Sequence, residues 1–184
     1  MGSICSIITQ CLDGQEDVRK TPVVTMDRKY HARGVSVTNF VVVGDGIALA
    51  NAALHQSLAY WEIKVLDSAG SFCCGVSHRI KPDQLRGHLD GTLHGRHHWA
   101  MRFSNTKTGD IISVMLDQSE VPVLHFQLNG MPMSGKSIRG VRGLVFPAVS
   151  VSDDARLDAN FGPSKFVYPL PRNYNGVIRA QDMI

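Results

Sequence analysis

Between residues 35 and 161 the chain repeats one theme: a short run of β-branched and aromatic residues, closed by Gly, Asn, Asp or Pro. Runs of this length and composition suit a pleated, half-buried surface, and the closing residues are those that turn a chain. Eight segments read as strands: 35–43, 58–66, 71–77, 98–103, 110–116, 123–128, 144–151 and 156–161. In "YWEIKVL", Trp61, Ile63 and Val65 share one face, with Glu62 and Lys64 on the other. That alternation is what a sheet with one buried face requires. "RLDANFG" repeats it, with Leu157, Ala159 and Phe161 opposite Asp158 and Asn160.

Short strands without a long amphipathic helix predict an all-β chain, an antiparallel β-sandwich. Its 184 residues suit one well-buried domain, assigned to residues 21–166, with irregular segments at 1–20 and 167–184. Pro169 and Pro171 oppose regular structure in the second of these, which is expected to pack across the sandwich or trail from it. The stretch 81–96, with glycines at 87, 91 and 95, reads as a loop.

One motif points elsewhere. "NGMPMSGKS" holds Gly130, four residues, then Gly135, Lys136 and Ser137, the spacing of a phosphate-binding loop. Such a loop needs a helix N-terminus after it, and the following "IRGVRGLVFPAVSV" offers glycines, a proline and β-branched residues instead. Asn129-Gly130 is therefore expected to be a tight hairpin turn.

The net charge is +3 with basic residues dispersed, which gives nucleic-acid binding no support. No apolar run reaches the roughly 18 residues that cross a bilayer, and the start lacks a secretory pattern. The four cysteines, two in the first twenty residues and two adjacent at 73 and 74, fit a reducing compartment and not a zinc site. Cys73 and Cys74 read as small strand residues, one pointing inward. His88, His94, His97 and His98 crowd beside Asp83 and Asp90, but adjacent strand histidines face opposite ways and Gly95 weakens a helix, so surface histidines are expected and no metal. No catalytic triad or nucleophile elbow is legible, and no enzymatic activity or cofactor is expected.

The start, "MGSICS", exposes Gly2 once Met1 is removed and places Ser6 where an N-myristoylation pattern has its hydroxyl residue. A single acyl chain anchors weakly, so Cys5, and secondarily Cys11, are the expected palmitoyl sites that complete attachment to a membrane surface. The expected location is cytoplasmic, peripheral at the cytoplasmic face of a membrane.

Three ordered segments resemble the SPRY domain family: "AYWEIKVLDSAGSFCCGVSHR", "LHFQLNGMPM" and "GLVFPAVSVSDDARLDANFG". Together with what lies between them they cover about two-thirds of the chain. The segment "HHWAMRFSNTKTGD" is shorter than its counterpart in the family. The resemblance implies a SPRY-like sandwich that is not an enzyme and binds a protein or peptide partner through loops at one edge. Carried onto this sequence, those loops contain Arg79, Gln84, Leu85, Arg86, Asp153 and Asp154. A lectin-like sandwich binding carbohydrate in the same loops is the alternative of a different class.

Overall fold

A computed structural model of the chain describes residues 23–85, 87–89 and 97–180. Thirteen strands form in those residues: β1 (Met26–His31), β2 (Val35–Thr38), β3 (Val41–Gly44), β4 (Gly46–Ala50), β5 (Leu58–Asp67), β6 (Phe72–Ser77), β7 (His98–Phe103), β8 (Ile111–Asp117), β9 (Val123–Leu128), β10 (Met131–Pro132), β11 (Ile138–Arg139), β12 (Phe146–Val151) and β13 (Arg156–Asn160). One 3-10 turn, Pro82–Gln84, lies between β6 and β7.

The strands make two antiparallel sheets. One has the order β1-β4-β12-β6-β7 and the other β10-β9-β8-β5-β13-β3-β2, with β11 also paired to β9. Consecutive strands often change sheet, as β12 and β13 do, and this ties the two layers into one body.

Segment 35–43 is two strands, not one. Asn39 takes a left-handed φ of 53° and folds Val35–Thr38 back on Val41–Gly44 with Thr38 opposite Val41. Asparagine tolerates that backbone, and a continuous β-branched run concealed the turn. "MDRKYH" and "GIALA" also form strands, although the first is charged and the second lacks alternation. The Asn129-Gly130 turn forms as expected, with φ of 51° and 76° and Met131 opposite Leu128. Ser137 leads into the short strand β11 and not into a helix.

The core lies between the sheets. Trp61, Ile63 and Val65 of β5 are fully buried and share their face with Val114 and Ile112 of β8. Opposite them, Phe72 stacks on Phe103 at 5.6 Å, and Phe103 meets Phe126 of the other sheet edge-on at 6.0 Å.

Part of each outer face is covered as well, and this corrects one expectation. Glu62, expected on the open face beside Lys64, is only 2% exposed, whereas Lys64 is exposed. Residues 161–180 cross that face: the Ala59–Asn175 bridge, the Tyr60 N–H donating to the Asn175 carbonyl, and the Gln56 side chain bonded to the Gly176 carbonyl and the Ile178 N–H hold them down. On the other sheet, Cys73 and Cys74 are both buried and, as expected, one of them points inward. Cys74 shares the inward side with Phe72. Cys73 shares the outer side with Ser150, whose hydroxyl accepts the Leu89 N–H at 3.1 Å. Residues 79–85 and 87–89 thus lie over small and apolar outer residues that water would otherwise meet. Burial pushes the Cys74 thiol well up, which keeps it protonated and unreactive.

Candidate interaction surface

The loops expected to meet a partner fall at opposite ends of the sandwich. Arg79 follows β6 where Ser77 pairs with Phe146, and the Asp153-Asp154 turn follows β12 where Val151 pairs with Phe72. Six residues of strand, about 17 Å, separate them. The structure does not bring them together into one site.

Arg79 is engaged already. Its guanidinium pairs with Asp27 and lies 3.6 Å from the centroid of the Tyr30 ring and 5.1 Å from that of Phe146. These contacts pin the start of the covering segment to β1, which is a structural task, and leave the side chain 34% exposed. Beyond it, Lys81, Pro82, Asp83 and Gln84 are exposed, with Gln84 closing the 3-10 turn through its N–H to the Lys81 carbonyl.

Leu85 corrects the expectation that it meets a partner: it is 2% exposed and belongs to the core. A lone leucine among Gln, Arg and Gly reads as loop, yet it is one of the side chains that hold the segment on the sheet. Arg86 lies outside the described residues, as do Gly2, Cys5 and Cys11.

The acidic turn is the more available element. Asp153 and Asp154 are exposed, with left-handed φ of 51° and 66°, and the Ala155 N–H closes the turn on the Ser152 carbonyl at 3.1 Å. Two successive non-glycine residues in this region hold strain that the surroundings must maintain. Ser71 supplies that support: its carbonyl accepts both the N–H and the hydroxyl of Ser152, each at 3.0 Å. Gly70 allows the close approach, since a Cβ there would lie 1.8 Å from the Ser152 carbonyl oxygen. Two adjacent carboxylates are thereby presented to solvent on a braced backbone turn.

Of the histidine cluster, His88 contacts the Asp45 carboxylate at 3.0 Å, and the His97 ring lies 5.9 Å from that of His78, which is outside the cluster and contacts the Arg142 carbonyl at 2.7 Å. His94 and Asp90 lie outside the described residues. Among the described residues no three His, Cys, Asp or Glu side chains are gathered as a metal ion needs. Lys136 and Ser137 of the glycine-lysine-serine loop are exposed.

The turn at Asn129 is braced by Asp110. The Asn129 amide nitrogen donates to one Asp110 oxygen at 2.9 Å, and the Lys107 N–H donates to the other at 2.8 Å. Together these hold the Asp110 carboxyl below the usual carboxylate range. A group lowered on folding contributes its full stability above its ordinary value and loses it as pH falls through its own. Melting temperatures of the native chain and Asp110→Asn should therefore differ near neutral pH and converge below about pH 4. A difference unchanged from pH 7 to pH 3 would refute this account.

No protein-family model matches the chain. It is similar to SPRY domain-containing protein 7 of Homo sapiens, with 28% identity over 199 residues that take in 98% of both chains. Among solved structures, the SPRY domain of human HERC1 superposes with a TM-score of 0.53 at 17% identity, covering 76% of this chain and 99% of that one. The Drosophila melanogaster neuralized NHR1 domain superposes with a TM-score of 0.58 at 9% identity, covering 74% and 97%. The three SPRY-like segments of the sequence supply β5, β6, β9, β10, β12 and β13 of the sandwich.

Proposed function

From this chain's similarity to SPRY domain-containing protein 7 over nearly its whole length, and from its SPRY-type sandwich, we propose that it is a non-catalytic protein-interaction module. A protein or peptide docks on preformed loops, and N-terminal acylation at Gly2, with Cys5 and Cys11 as secondary acyl sites, tethers the module at the cytoplasmic face of a membrane. The observation that carries the binding half is the rigid, exposed Asp153-Asp154 turn. Two adjacent exposed carboxylates favour a basic partner segment, and tethering would raise the local concentration of module and partner on one surface. Exposed Gln84 and its neighbours, at the far end, form a separate candidate surface.

The test is proximity labelling in eukaryotic cells, with the labelling enzyme fused after Ile184. Three forms are compared: the native start, Gly2→Ala, and Asp153→Asn with Asp154→Asn. Asparagine keeps the left-handed backbone tolerable while removing both charges. Loss of membrane neighbours in Gly2→Ala supports the tether, and loss of a protein neighbour in the double variant supports the acidic turn. Identical profiles for all three forms would reject both halves. Gln84→Ala reports separately on the other end.

A further inference from the structure

A groove of about 970 Å³ lies along residues 161–170 and 175–179, and Val23 and Val24 of its wall stand close in sequence to Asp27, the partner of Arg79. Its wall and rim are mainly apolar: Val167 is 63% exposed, Leu170 43% and Val23 47%. Exposed apolar side chains gathered along a groove of this size mark a surface that something covers. The same groove holds a buried polar group without a partner. The Arg179 Nε has no hydrogen bond among the described residues, although one terminal nitrogen of that guanidinium donates to the Val23 carbonyl at 3.1 Å. A buried N–H left unpaired is costly, and points to an acceptor that belongs there.

The position of the chain itself says which acceptor. Val23, where the described residues begin, is part of the groove wall and is held by Arg179, so the chain enters the described fold at this place. The 22 residues before it carry Ile4, Ile7, Ile8 and Leu12, followed by Asp13, Glu16 and Asp17 and then by Arg19 and Lys20, a net charge of −1 for the segment. Apolar side chains match the walls, and the carboxylates match Lys165 and Arg179 of the groove. We propose that the N-terminal segment, residues 1–22, is the intramolecular ligand of this groove: its apolar stretch covers the walls and one of its carbonyl or carboxylate oxygens accepts the Arg179 Nε–H. Where the acylation proposed above holds, insertion of the same stretch into a membrane empties the groove, so membrane attachment and groove exposure occur together.

The test uses the full-length chain without acylation, made in bacteria, so that its outcome is independent of the lipid reading. Cys11→Ser leaves Cys5 to carry a nitroxide spin label, because Cys73 and Cys74 are buried. The label should reduce the amide signals of Val167, Leu170 and Gly176 to less than half, while Met131 and Asp153 keep theirs. Val167→Ser with Leu170→Ser, both at exposed positions, should restore the groove signals and raise hydrogen exchange in residues 4–12. Unaffected groove signals in the labelled native chain, broadening spread evenly over the surface, or broadening that persists in the double variant would each overturn the proposal.

Discussion

Glu62→Ala should detach the C-terminal segment from the sandwich and lower stability by about 3 kcal/mol, the loss expected when several donors to a buried charge are orphaned. The Glu62 carboxylate accepts the Tyr60 hydroxyl at 2.8 Å, the Val167 N–H at 2.8 Å and the Tyr168 N–H at 2.9 Å. The single Tyr60 proton goes to the carboxylate, and Ser113 Oγ lies 2.9 Å from the same phenol oxygen. Burial is the main reason the Tyr60 phenol is pushed well above its ordinary value. Phe166 packs edge-on against the Tyr60 ring at 4.8 Å, so the hydrogen-bonded anchor and an aromatic contact hold the same short piece of chain. Removing the carboxylate leaves two backbone N–H groups without acceptors and a phenol without its base. The segment can relieve this only by lifting into water, which gives up the Phe166 contact too. Glu62→Gln, which retains one carbonyl acceptor, should lose markedly less. Denaturant unfolding gives the magnitude, and hydrogen exchange at Val167 and Tyr168 gives the location. Full protection of those amides in Glu62→Ala would contradict the anchoring role.

Trp61→Ala should cost more, roughly 3–5 kcal/mol, the range for emptying a buried aromatic site. Trp61 is fully buried, lies opposite Val114 in the pairing of β5 with β8, and stands at the middle of the layer between the sheets. Its loss leaves a void that neighbours on paired strands cannot fill without breaking register. For a domain of this size the melting temperature should fall by roughly 10 °C or more. The indole Nε1 has no hydrogen-bond partner among the described residues. Trp61→Phe therefore abandons no hydrogen bond and should recover most of the loss. Equal destabilisation by the two substitutions would mean that the indole nitrogen, not the volume, is what the site requires.

These two neighbours on β5 show where sequence reasoning stops. Trp61 and Glu62 were assigned to opposite faces by alternation alone, and the structure keeps them there. Alternation says which residues share a face; it does not say whether that face meets solvent. Glu62 is dry because residues 161–180, separated from it by about a hundred positions, return across the sheet. The signal for that return was present, in Phe166, Val167, Tyr168 and Leu170 among the prolines, but apolar residues without a period name no strand to lie on. Leu85 failed in the same way. Its neighbours are polar, and only the apolar outer face of the other sheet explains its burial.

By itself, then, the sequence determined the local chemistry of this protein. Short β-branched runs made strands, Asn129-Gly130 made a hairpin, and the missing helix after Ser137 removed the geometry a phosphate-binding loop needs. Those outcomes depend on backbone preferences of residues close along the chain. Tertiary structure alone decided that Arg79 and Asp153 stand at opposite ends of β6 and β12, that Arg79 is held by Asp27 and Tyr30, and that part of each outer face is covered. Each of these is a meeting of segments far apart in sequence, selected because burying apolar surface and pairing polar groups depend on what arrives from elsewhere in the chain.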